Sequence, residues 1–188
     1  MEPMLTELQV LVPPPDSPVF AGTWDQWNEV EQWIGTALPQ DYKQLINLYG
    51  SGSFGGRVCL LNPFIKTSSP WSHFSLFRGL KSLSIIEPFQ RESPDTCQPF
   101  PVYPALGGLL PWGVFCSDSA MQCWRTQGKP DAWPTIVLDS DWSEEYLEYT
   151  TSATRFLVGW LTGKIVISYF SEFPLSQPLF EPLSLSAG

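Results

Sequence analysis

Few residues in this chain are of a type that could do chemistry. An enzyme needs a nucleophile with a base, paired carboxylates in a cleft, or a set of metal ligands. The single histidine, His73, lies beside Trp71 and Phe74 on a predicted helix. It reads as a packed or surface histidine rather than a general base. Asp139, Asp141, Glu144 and Glu145 could supply a carboxylate pair of the glycosidase kind. Acids along a solvated strand, however, are common. The four cysteines, Cys59, Cys97, Cys116 and Cys123, form no C-x-x-C pair. Only Cys116 and Cys123 are close, and a hairpin could bring them together. With one histidine in the chain a zinc-type site is not expected. The cysteines read as reduced thiols of a cytoplasmic protein. No phosphate loop, dinucleotide fingerprint or G-x-S-x-G is present. The expectation is no catalytic residue, no cofactor and no metal.

Charge is more informative. The net charge is −9, which argues against nucleic acid or an anionic membrane as partner, because phosphate contacts need Lys and Arg. The acids are also unevenly placed. Residues 1–42 carry −7, residues 43–129 carry +4 and residues 130–188 carry −6. Between Pro130 and Thr154 stand Asp131, Asp139, Asp141, Glu144, Glu145 and Glu148, without one Lys or Arg. Such a block either keeps the surface solvated or forms a landing site for a basic partner.

The elements that must position these residues follow from periodicity. At 188 residues the chain is one domain with loose ends, long enough to bury about 70% of its unfolded surface. No stretch approaches the roughly 18 apolar residues of a membrane helix, and the first residues lack the positive start of a signal peptide. Residues 1–19, with Pro13-Pro14-Pro15, read as an extended arm, residues 20–170 as the domain, and residues 171–188 as a Pro/Ser-rich tail. Thr23 and Gln26 have capping-box spacing ahead of a helix with Trp24, Trp27, Val30 and Ile34 on one face, ending near Gly35. A second helix starts at Pro39 with Asp41 in its first turn. It carries Tyr42, Leu45, Ile46 and Tyr49 at helical period and stops at Gly50.

RVCLL (57–61) reads as a strand, and residues 70–86 as a helix capped by Ser69. The stretch from Glu92 to Leu110 is loop-rich. GVFCS (113–117) and AMQCWR (120–125) make a hairpin about Asp118-Ser119, and TIVLD (135–139) and SEEYLEY (143–149) are further strands. A helix capped by Ser152 carries Phe156, Leu157, Trp160 and Leu161, and KIVISYF (164–170) is a last strand. These elements predict an α+β fold with a mostly antiparallel central sheet, an N-terminal helical pair and a C-terminal helix.

Several of these segments together resemble the SUKH superfamily, named in part after a fungal regulator of cell-wall synthesis. The run W-x-x-V-E-x-W-I-G-x-x-L-P-x-D-Y-K-x-L (27–45) is followed by Y-G-S-G-x-F (49–54). Y-P-A-L-G-G-L-L-P-W-G (103–113), W-R-T-x-G-x-P-D-x-W-P (124–134) and T-x-F-L-V-G-W-L-T-G (154–163) then recur in the order of bacterial members. The likeness spans roughly residues 24–165. It departs at Ser117-Asp118-Ser119, where those members carry an Asn-Gly-Asp-type turn. The resemblance implies an immunity protein that neutralises a polymorphic toxin by direct binding. It also implies that Leu38, Pro39, Asp41, Tyr42, Tyr49 and Gly50 are scaffold, with Trp112, Gly113, Trp124, Trp133, Phe156 and Trp160 in the later segments.

On that basis the expected partner is one cognate, basic, nuclease-type toxin, met by Asp131, Asp139, Asp141, Glu144 and Glu148 around a dry centre of Trp142 and Tyr146. The alternatives are a regulatory interaction module of the same fold with no toxin partner, and a carbohydrate-active hydrolase.

Overall fold

Thr23 and Gly35 bracket the first expected helix as their chemistry requires. The computed structural model describes residues 3–66, 68–116, 120–139, 145–168 and 179–184. Helix α2 (Trp24–Ile34) opens on a full capping box: Thr23 Oγ1 accepts from Gln26 N–H, and Gln26 Oε1 accepts from Thr23 N–H. It closes at Gly35 with φ +86°. Trp27, Val30 and Ile34 are buried, but Trp24, expected on the same face, is 72% exposed. Helix α3 (Gln40–Tyr49) buries Tyr42, Leu45, Ile46 and Tyr49 completely, and Pro39 is its N-cap rather than its first residue.

Seven strands lie among the described residues, and five of them overlap segments read as strands. They are β1 (Gly52–Phe54), β2 (Val58–Leu60), β3 (Leu109–Phe115), β4 (Met121–Arg125), β5 (Thr135–Leu138), β6 (Tyr146–Tyr149) and β7 (Phe180–Pro182). The sheet order is β6-β5-β4-β3-β2-β1-β7, antiparallel throughout, which leaves β6 and β7 at the edges. On β3 the register shifts between Pro111 and Gly113, so Trp112 is an extra, bulged residue.

The sheet is covered on both faces. Leu60, Trp112, Trp124 and Val137 join the main core with α2, α3, α1 (Pro3–Leu11) and α6 (Ala153–Leu161). Met121, Cys123, Ile136 and Leu138 form a second cluster with Leu83 of α4 (Leu76–Leu83) and Ile86 of α5 (Ile86–Glu92). Aromatic rings link the L-P-x-D-Y helix to the sheet. Tyr42 meets Trp124 edge-on at 4.9 Å, Trp112 meets Phe156 at 5.7 Å, and the Tyr42 hydroxyl donates to Leu61 O. Burial raises the Tyr42 pKa well above the ordinary phenol value.

Five expectations need correction. The N-terminal arm is largely helical. Leu5, Leu8 and Val12, at helical intervals, bury against the main core, and Val12 O accepts from the Tyr49 hydroxyl at 2.7 Å. The stretch 70–86 is not one helix, because Ser75 is extended (φ −78°, ψ 132°) and forms a β-bridge with Asn62, so α4 begins only at Leu76. Residues 164–168 are not a strand. Ile165 N–H donates to Gly159 O at 2.9 Å and its side chain fills the space that a Cβ on Gly159 would take, folding the segment back on α6. Residues 169 and 170 lie outside the described residues, as does the 117–119 turn. The C-terminal tail contributes β7, paired to β1, with the Phe180 ring edge-on to Tyr49 and tilted against Phe54.

The last correction concerns the cysteines, which are not all reduced: Cys59 and Cys116 are joined in a disulfide across 57 residues. Cys59 pairs with Val114, so Cys116 is its diagonal neighbour across β2 and β3. Cys123, opposite Pro111, is buried and free, and Cys97 is half-buried and free.

Candidate protein-interaction surface

The 130–154 block has no base of its own, but the fold brings two to it. Arg125, at the end of β4, reaches Glu148 on the edge strand β6 at 3.6 Å, and its guanidinium lies over the Phe100 ring at 5.3 Å. Arg155, in the first turn of α6, shares a cleft of about 320 Å³ with Asp131, Trp133, Thr151 and Ser152. The foot of the β5–β6 hairpin is therefore partly neutralised. Glu148, expected to face a partner, already faces Arg125.

Asp131 has a structural task as well. Its Oδ1 accepts from Gln40 N–H at 2.6 Å, supplying from 91 residues away the cap that Pro39 cannot give α3. Asp41 does the same in the opposite direction. Buried at 5% exposure, its Oδ2 accepts from Thr154 N–H in the first turn of α6 at 2.9 Å. Two carboxylates thus exchange caps among three sequence-distant segments. Asp131→Ala should cost about 1 kcal/mol of stability. Asp131→Asn, which keeps an acceptor, should cost less. A thermal melt of both variants checks this.

Tyr146 is not a free interface aromatic. It is half-buried on the second face of the sheet, edge-on to Phe100 at 4.8 Å. On the other face Leu147 and Tyr149 pack toward the main core, as the alternation required. Trp112, Trp124, Trp133, Phe156 and Trp160 are all buried, as are Leu38, Pro39, Gly50 and Gly113.

The far end of the hairpin is acidic in sequence. Leu138 pairs with Tyr146, so residues 139–145 are the connection between β5 and β6. That connection carries Asp139, Asp141, Glu144 and Glu145 with Trp142, and no base. Asp139 is half-buried and Glu145 exposed, while Asp141, Trp142 and Glu144 lie outside the described residues.

His73 sits on a 3-10 turn (Ser72–Phe74), exposed, with its ring 3.9 Å from that of Phe74. Among the described residues its cleft, about 240 Å³, is lined by Arg78, Ser82 and apolar residues, with no carboxylate that could orient the imidazole. Among the described residues no group of three or more His, Cys, Asp or Glu is arranged to hold a metal ion. None of the described helices is long and apolar enough to cross a membrane.

A second acidic surface is the solvent side of α2, where Asp25 and Glu29 are exposed between Trp24 and Trp33. Glu31 is not part of it, because its Oε1 accepts from Lys43 Nζ at 2.8 Å and from Leu38 N–H at 2.9 Å.

No family model, curated protein or solved structure matches this chain.

Proposed function

We propose that this chain is a SUKH-type immunity protein that neutralises one cognate, basic, nuclease-type toxin by binding it and covering its active site. The observation that carries the reading is the charge at the tip of the β5–β6 hairpin. Four acids and a tryptophan occupy the seven-residue connection closed by the Leu138–Tyr146 pair, with Arg125 and Arg155 confined to the foot. A run of one sign attracts a basic groove over several ångströms and accelerates encounter. Trp142 supplies the residue type that most often anchors an interface. Binding of this kind asks for no bond-making and no cofactor from the chain itself.

Such a protein works where the toxin would act, in the bacterial cytoplasm. The Cys59–Cys116 bond is more typical of an oxidising compartment, so the cytoplasmic placement rests on the toxin reading alone. The reading predicts a toxin domain encoded beside this chain, and the test is co-expression with it. Wild type should rescue growth. The variant Asp139→Lys/Asp141→Lys/Glu144→Lys/Glu145→Lys should rescue poorly while remaining folded by circular dichroism. Failure of the wild type to rescue would favour the regulatory-module reading.

A further inference from the structure

One exposed patch plays no part in that reading. Trp33, near the end of α2, is 67% exposed, and its ring rests edge-on against Phe77 of α4, 4.4 Å between centroids. Beyond Phe77, successive turns of the chain carry Lys81 and then Ile85, which is 56% exposed. Phe77, Arg78, Lys81, Ser82 and Ile85 line an open cleft of about 510 Å³, with two cations and no carboxylate among its described lining residues. An indole left this far in water forgoes much of the burial that an aromatic ring ordinarily gains. The indole and the cleft are adjacent on one surface.

The charges around the aromatic pair decide what fits there. Glu29 stands one helical turn before Trp33, and Lys81 one turn after Phe77, so each charge neighbours its aromatic partner. Neither side chain has an ion pair among the described residues. The patch therefore carries an acid beside one ring of the aromatic pair and a base beside the other. A purely basic partner would be repelled by Arg78 and Lys81, and a purely acidic one by Asp25 and Glu29. A surface carrying both signs around the same aromatic centre suits both, and a second copy of this chain has one.

We propose that the chain forms a two-fold symmetric homodimer through the α2–α4 face. Trp33 of each copy enters the Phe77–Ile85 cleft of the other, and Glu29 of each pairs with Lys81 of the other. A two-fold axis makes every contact occur twice, which is the rule for such interfaces. The net charge of −9 on each copy opposes association, but at 0.15 M salt repulsion beyond about 8 Å is screened. The face shares no residue with the hairpin tip, so a dimer leaves both tips available.

Sedimentation velocity at 0.15 M salt, over micromolar to hundreds of micromolar protein, tests this. The mass should rise with concentration from 21.1 kDa toward twice that value. Glu29→Lys and Lys81→Glu should each weaken dimerisation at least 10-fold, because like charges then meet at both symmetric contacts. An equimolar mixture of the two variants should recover it, because opposite charges then meet at both. Trp33→Ser should be monomeric alone and in mixtures. A wild type that stays at 21.1 kDa throughout overturns the proposal. So do single variants that dimerise as well as wild type, or a mixture that fails to recover. Circular dichroism of each variant separates lost pairing from lost fold.

Discussion

Gly50→Ala is expected to cost about 4 kcal/mol and to lower the melting midpoint by roughly 10–15 °C, as strain and overpacking combine. Gly50 ends α3 with φ +69° and ψ −137°, a conformation outside the left-handed helical well and closed to residues with a side chain. A Cβ there would lie 2.3 Å from Val19 O and 2.6 Å from Val19 N. Both are backbone atoms fixed by the Val19–Gly50 bridge and by the Ser51 N–H donated to Val19 O at 2.8 Å. They cannot swing aside as a side chain would. Gly163 is the internal control, since its φ is +70° but nothing lies within 4 Å of its added Cβ. Gly163→Ala should cost only about 1 kcal/mol of backbone strain. Equal effects at the two positions would show that the close approach at Val19 does not matter.

The second large effect concerns the link between β2 and β3. Replacing Cys59 and Cys116 together by alanine should remove about 4 kcal/mol, the closure entropy of a loop joined across some 57 residues. The corresponding loss in melting temperature is roughly 8–16 °C. Thiol counting gives an independent check. Without reductant the native protein should take one alkyl group, on half-exposed Cys97, because burial holds the Cys123 thiol protonated and out of reach. Unfolding should raise the count to two, and unfolding with reduction to four. Three or more labels on unfolded, unreduced protein would mean that the bond is absent.

The two effects mark what could and could not be read in the residues. Gly50 announced itself, because a glycine after an apolar helical face is a stop signal, although the conformation it adopts is not the left-handed cap. The Thr23–Gln26 box, the Ser152 cap and the antiparallel order of β3 to β6 were likewise legible, since each depends on neighbours close in sequence. Helix α1 carried a signal that the extended-arm reading missed. Leu5, Leu8 and Val12 are at helical spacing, but the triple proline after them suggested an extended arm.

Other features depend on partners far along the chain and had no local signature. Asp131 reaches Gln40, Asp41 reaches Thr154, and Cys59 finds Cys116. The candidate surface shows the same limit. Counting charge by sequence block made all of 131–148 acidic, whereas Arg125 and Arg155 enter that region only through strand pairing and helix packing. Three of the expected contact residues, Asp131, Tyr146 and Glu148, are engaged within the fold. Trp24 shows the reverse error. It was expected on the apolar stripe of α2, yet it is exposed, because helical period locates a buried face but does not say where that face ends.

The central claim is that the acidic hairpin tip steers this protein onto a basic toxin. Its most direct test is stopped-flow association with the toxin domain that the reading predicts to be encoded beside it, comparing wild type and the Asp139→Lys/Asp141→Lys/Glu144→Lys/Glu145→Lys variant at about 20 mM and 0.5 M salt. The account predicts association at least ~10-fold slower for the variant at low salt, with the two rates converging at high salt. Equal rates at low salt would contradict it.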